Sequence, residues 1–156
     1  MDAVSNSYPF YLASYERRFD AKGRVSVPSE WLTLPGNETD YFVAWFDASE
    51  CLLRVYPSQF LNLLRSYTET SKESDPESKR RQRELFASAK YLRMDPQNRV
   101  RLDDDLAEKL GFAEQIFLQG EGMSFCINDP QRAQNMARSS ESDDLYAALE
   151  KVEALR

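Results

Sequence analysis

The chain has 156 residues, 42% apolar and 29% charged, with no histidine and a net charge of −6. This length suits one domain that buries a core without metals or disulfides. Histidine-based triads and histidine-containing zinc sites are excluded, and no apolar run reaches the roughly 18 residues of a membrane-spanning helix. Met1 to Ser14 carries Asp2 as its only charge, which makes a poor signal peptide; a cytoplasmic location without membrane contact is expected. The cysteines lie in the apolar runs Cys51-Leu52-Leu53 and Phe125-Cys126-Ile127 and are expected to be reduced core residues.

In chain order, residues 1–10 read as a loose arm and Tyr11 to Phe19 as a strand. Asp20 to Gly23 is a turn, and Arg24 to Val27 a strand with Val25 and Val27 facing inward. Pro28 and Ser29 open a short helix to about Leu34. Strands are predicted over Asp40 to Phe46 and Cys51 to Tyr56, with Cys51, Leu53 and Val55 in period two. Pro57-Ser58 starts a helix carrying Phe60, Leu61, Leu64 and Tyr67. Residues 68–78 read as a polar linker, and Glu77 to Ala89 as a helix with the basic start Lys79-Arg80-Arg81-Gln82-Arg83. The order then repeats: strand Ala89 to Met94, turn Asp95 to Asn98, strand Arg99 to Leu102. Asp103 caps a short helix that Gly111 stops. Gln115 to Leu118 and Ser124 to Ile127 read as strands around a Gly120-Glu121-Gly122 turn, and Asp129-Pro130 opens another helix. Ser139 to Asp144 is a polar hinge. Leu145 to Arg156 is a helix striped with Leu145, Leu149, Val152 and Leu155, set either on its own domain or against a neighbouring subunit.

The repeat is the strongest signal. Asp20-Ala21-Lys22-Gly23-Arg24-Val25 returns as Asp95-Pro96-Gln97-Asn98-Arg99-Val100, 75 residues later, and a fixed-period echo marks a duplicated supersecondary unit. Each half is too small to stand alone. The expected fold is therefore α+β, a small β-barrel in which two halves share one core in pseudo-two-fold relation, with helices at the rim. The predicted units are 11–67, a linker and basic helix at 68–88, 89–138, and a C-terminal helix at 139–156.

Each turn has a local cause. Asp20 and Asp95 suit Asx-turns, and Gly23 and Asn98 are residue types that reach positive φ cheaply. The arginine follows at the start of a strand, held by its backbone. Arg17, Arg18, Lys22 and Arg24 cluster at turn one, and Lys90, Arg93, Arg99 and Arg101 at turn two. Arg17 and Arg24 are expected on paired strands of one hairpin, and Arg93 and Arg99 likewise. A two-stranded ribbon of this kind fits a DNA groove, where arginine contacts guanine or phosphate. Taken singly, each turn also reads as an ordinary hairpin with a surface Asp–Arg pair.

Charge placement permits such a role despite the acidic total. Residues 1–78 carry 7 basic and 12 acidic side chains, residues 79–101 carry 8 and 2, and residues 102–156 carry 5 and 12. Screening over roughly 8–10 Å lets a basic block keep a local positive face. Lys79, Arg80, Arg81 and Arg83 read as a solvated helix face, with phosphate contact as the alternative. The Asp103-Asp104-Asp105 run reads as a helix N-terminus. No cofactor, metal or catalytic residue is expected.

Tyr15-Glu16 together with Asp20 through Pro28, Leu52 to Pro57 with its Tyr-Pro helix start, Phe86 to Ala89, and Asp95 to Val100 resemble the MraZ family of the AbrB-like swapped-hairpin superfamily, over about Tyr11 to Asn135. The resemblance implies two fused AbrB-type halves, ring-shaped homo-oligomers, nucleoid association, and sequence-specific binding to repeated double-stranded DNA boxes upstream of the division and cell-wall gene cluster. It implies that Arg24 and Arg99 are the signature arginines. Asn98 departs from the family's usual glycine and Asp103 from a frequent proline. The triple aspartate near Arg99 weakens a positive patch there, so the second motif reads as structural and the first as the DNA reader. Two further readings stand: a non-catalytic oligomeric scaffold or partner-binding ring that does not bind DNA, and an enzyme on a related barrel, which the missing histidine and nucleophile disfavour.

Overall fold

A computed structural model describes residues 8–37, 40–70, 75–111, 114–129 and 142–155. Eight strands are described: β1 (Ser14–Arg18), β2 (Arg24–Ser26), β3 (Tyr41–Asp47), β4 (Leu52–Pro57), β5 (Lys90–Arg93), β6 (Arg99–Arg101), β7 (Gln115–Gly120) and β8 (Phe125–Asn128). The helices are α1 (Ser29–Leu32), α2 (Phe60–Thr70), α3 (Pro76–Ala87), α4 (Asp104–Lys109) and α5 (Ser142–Ala154). The architecture is α+β. Six strands form one antiparallel sheet in the order β1-β7-β8-β4-β3-β5, while β2 and β6 pair with each other in a separate ribbon that a single bridge joins from Val100 to Met94.

This arrangement corrects two expectations. The described strands form an open sheet plus a separate ribbon rather than one closed barrel; β1 and β5 remain its edges. Among the described residues the hairpins expected around the two aspartate turns, β1–β2 and β5–β6, are not strand pairs apart from a single bridge between Met94 and Val100, whereas β3–β4 and β7–β8 form within their repeats. Arg17 lies opposite Ile116 on β7, not beside Arg24, and Arg93 lies opposite Tyr41 on β3, not beside Arg99. Short strands that cannot bury both faces alone take partners from the other half, so β1 joins β7, β2 joins β6, β3 joins β5 and β4 joins β8.

The core sits between this sheet and the ribbon. Tyr11, Trp31, Phe42 and Phe125 meet at ring-centroid distances of 4.7–5.4 Å, mostly edge to face, an arrangement the ring quadrupoles favour. Trp31 is buried with its indole N–H satisfied by the Leu12 carbonyl at 2.8 Å. Val25, Val27, Val100 and Leu102 bring the ribbon's inner face into this cluster. Each such side chain contributes roughly 1.5–3 kcal/mol on burial.

Several local expectations shift. The strand expected from Tyr11 breaks at Ala13, whose φ is 74°. Tyr11 instead exchanges backbone hydrogen bonds with Gly122, and the Gly120 N–H donates to the Ala13 carbonyl. Backbone approaches so closely there that a Cβ on Gly120 would lie 2.5 Å from the Tyr11 carbonyl. Cys51 has φ 53° and stands half-buried before β4, whereas Cys126 is buried; both are free thiols. The polar segment 68–78 contains the end of α2 and the start of α3, where Asp75 caps the Ser78 N–H at 2.9 Å and Pro76 occupies the first turn. That is a helix start signal. Asp103 caps α4 through the Leu106 N–H at 2.9 Å. The helix expected from Pro130 lies outside the described residues. α5 begins at Ser142, and its Leu149, Val152 and Leu155 are exposed.

Candidate nucleic-acid interface

The two turns are built from the same bonds. Asp20 Oδ1 accepts from the backbone N–H groups of Lys22 and Arg24, both at 2.9 Å. Asp95 Oδ1 accepts from Gln97 and Arg99 at 2.9 and 3.0 Å. Gly23 (φ 77°) and Asn98 (φ 61°) take the left-handed position in each. The second carboxylate oxygen holds the arginine: Arg24 Nε donates to Asp20 Oδ2 at 2.6 Å, and Arg99 Nε to Asp95 Oδ2 at 2.8 Å. Each guanidinium is thus fixed through Nε, on a side chain that stays partly exposed.

The carboxyl of Asp20 is held down at about 2, chiefly by the Arg24 backbone N–H, with the Arg24 side chain and the Lys22 N–H adding to it. Burial pushes Asp95 upward, but the N–H groups of Arg99 and Gln97 and the Arg99 side chain outweigh it, leaving the net shift downward. Both aspartates are therefore ionised at neutral pH.

Antiparallel register sets the outer face. Arg24 lies opposite Arg101, Val25 opposite Val100 and Ser26 opposite Arg99. The valines face the core, so Arg24, Arg99 and Arg101 share the opposite face. Like charges directly opposite are destabilising, and local conflicts of this kind concentrate where function requires them. Two further contacts cross between the halves. Arg99 Nη1 lies 3.7 Å from Asp20 Oδ2, and Arg101 Nε donates to the Lys22 carbonyl at 3.1 Å. Next to turn one is an open hollow of about 550 Å³, lined by Phe19, Asp20, Lys22, Arg101, Asp104 and Glu114 among others.

The remaining candidates stand around this ribbon. Lys22 is exposed at the tip of turn one. Arg18 and Arg93 each precede their turn's aspartate by two residues. Arg18 is exposed, with Glu114 at 3.8 Å, and Arg93 lies over the Tyr41 ring at 6.0 Å. Arg17 turns away, its guanidinium over Tyr15 and bonded to the Glu16 carbonyl. Lys90 is drawn off to Asp103 and Asp105 at 3.4 and 3.9 Å. On α3, Arg80 is engaged by Glu77 and Glu84, and Arg81 by Glu77.

Arg54 was not singled out by sequence. It stands on β4 with Asp47 at 2.8 Å, Glu50 at 2.9 Å and Glu121 at 3.0 Å. Its bonds to Glu121, then to Glu50 and Asp47, hold it charged far above the usual arginine range. The i−7 and i−4 acids were visible; Glu121, 67 residues away, was not.

Among known proteins, the chain is 31% identical over 125 residues to the transcriptional regulator MraZ of Rickettsia peacockii (strain Rustic), spanning 78% of this chain and 82% of that protein. It is 30% identical over 125 residues to the transcriptional regulator MraZ of Hyphomonas neptunium (strain ATCC 15444), spanning 78% of this chain and 74% of that protein. The chain belongs to the MraZ family. A longer match, 29% identical over 154 residues to the transcriptional regulator MraZ of Azorhizobium caulinodans, spans 94% of this chain and 88% of that protein; a match of that extent takes in both turns. No family model matches the chain, so MraZ membership rests on these pairwise likenesses. Among the described residues no helix is long and apolar enough to cross a membrane.

Proposed function

We propose that this chain is a sequence-specific, non-catalytic DNA-binding regulator of transcription. The observation that carries the reading is the outer face of the β2–β6 ribbon, with three arginines over a buried valine pair and Asp20 and Asp95 holding Arg24 and Arg99. The names of the MraZ relatives as transcriptional regulators support it. A two-stranded ribbon fits the major groove, about 12 Å wide, and a guanidinium fork matches the guanine edge or a phosphate. Asp20 fixes Arg24 before DNA arrives, so little side-chain freedom is lost on binding. Lys22, Arg18 and Arg93 flank the ribbon for phosphate contact.

One such ribbon is a weak site on an acidic chain. We infer two fused AbrB-like repeats assembled as a homo-oligomeric ring, in which several ribbons engage tandem promoter boxes upstream of the division and cell-wall cluster. Affinity then comes from multiplicity rather than from one contact. The test is a gel-shift with DNA from upstream of the chain's own gene. Arg24→Ala should abolish the shift while the thermal melt stays within about 1 kcal/mol of wild type, the range for a partly exposed ion pair. Retained binding in that variant removes Arg24 from the role.

The exposed α5 stripe of Leu149, Val152 and Leu155 favours one second reading, a scaffold ring that recruits a protein partner without DNA. A wild-type chain that shifts no upstream DNA, yet assembles through α5, supports it.

A further inference from the structure

We propose that the second repeat braces the first: Arg99 and Arg101 are positioning residues that hold turn one in its DNA-reading shape, with no equivalent tie in the reverse direction among the described residues. The inference rests on the DNA reading above and divides labour within that site.

The backbone of the ribbon is symmetric. The Leu102 N–H donates to the Gly23 carbonyl at 2.9 Å, and the Val27 N–H donates to the Asn98 carbonyl at 3.0 Å; these are the same bond under the 75-residue repeat. The side chains break the symmetry. Arg101 reaches across to the Lys22 carbonyl at 3.1 Å. Its counterpart one repeat earlier is Ser26, exposed on β2 and too short to reach the Gln97 carbonyl. Arg99 holds its own Asp95 and also lies 3.7 Å from Asp20, whereas the ion pair of Arg24 is with Asp20 of its own turn. Turn one therefore has side-chain ties from both repeats. Its aspartate has two guanidiniums, and its exposed tip carbonyl has an arginine donor.

The consequence is mechanical. A carbonyl tied at Lys22 and a carboxylate tied at Asp20 fix the two peptide groups that set the direction of the Arg24 side chain. Preorganisation of this kind lowers the ordering cost of binding.

The test starts without DNA, on the full chain. Amide hydrogen exchange should give Lys22, Gly23 and Arg24 higher protection factors than Gln97, Asn98 and Arg99. Arg101→Ser, which installs the residue of the first repeat, should lower turn-one protection about three- to ten-fold, the worth of a hydrogen bond or two, and leave turn two unchanged. Equal protection of the two turns in wild type, or an unmoved turn one in Arg101→Ser, overturns the brace.

A second arm separates bracing from phosphate contact. Arg101→Lys keeps the charge but loses the Nε–H. The brace predicts weaker box binding in both variants, with the wild-type slope of log affinity against log salt. A loss confined to Arg101→Ser, with the slope reduced by about one, assigns Arg101 to a phosphate and overturns its positioning role. Wild-type protein that binds no box DNA, with the exchange pattern intact, sinks the DNA reading instead.

Discussion

At the β3–β4 end, one arginine meets three carboxylates; on the β2–β6 ribbon, Arg24 and Arg99 share two, and Arg101 donates to a backbone carbonyl. Arg54 and Arg99 have equally accessible side chains, 25% each. Local balance separates them. The Arg54 cluster sums to −2 and takes four hydrogen bonds from its guanidinium, so it has little to offer an anion. The ribbon's three arginines and two turn aspartates sum to +1, with Asp103 acting on Arg101 from the start of α4. The difference teaches that an arginine marks a polyanion site by the acids it lacks, and that the chain's overall −6 says little about either place.

Variants that exchange these two fates sharpen the contrast. The largest effect is expected for Arg54→Ala, which leaves three carboxylates facing one another. The three pairs are partly exposed, so stability should fall by about 2 kcal/mol, a melting-point drop of roughly 4–8 °C, while DNA affinity measured below the new melt stays at the wild-type value. Arg24→Lys should do the converse. It keeps the charge and loses the planar fork, so preference for box over scrambled DNA falls by about 1–3 kcal/mol per site with an unmoved melt; competition gel-shifts read this. Asp103→Ala removes the α4 cap together with an acid that pairs with Lys90 and acts on Arg101 without bonding it. A cost of about 1 kcal/mol in a denaturant melt, with binding retained, is expected.

The smallest effect is pH dependence. Asp20 and Asp47 are held at about 2, and Asp95 and Asp103 below their ordinary value. A depressed folded-state carboxylate adds stability that is complete above its unfolded value near 4 and is lost as pH falls toward 2. Melts should therefore be level from pH 5 to 8, where no histidine titrates, and decline below pH 4. The double variant Asp20→Asn, Asp95→Asn should decline less steeply.

The turns were legible because their chemistry is local. An aspartate, two free positions and a residue that tolerates positive φ determine one bonding pattern, and both copies adopt it. The β3–β4 and β7–β8 pairs were legible from their turns, but the partners of the strands flanking the two aspartate turns were not. Arg24–Ser26 is three residues long, and nothing in Arg-Val-Ser says that β6 lies opposite rather than β1. The open sheet follows from those long-range pairings, which turned the expected hairpins into cross-repeat contacts. Ala13 shows a second limit. Alanine seldom signals a left-handed residue, and its φ of 74° is imposed by Gly120 and Gly122 across the sheet. Arg54 was missed for the same reason, since its third acid arrives only with the β7–β8 turn.

The most direct test of the ribbon as the reading surface is a hydrogen-exchange map of the full chain with and without box DNA. The account predicts new protection at residues 20–26 and 95–101 and none around Arg54. Protection centred on Lys79 to Arg83 of α3, with the ribbon unchanged, would contradict it.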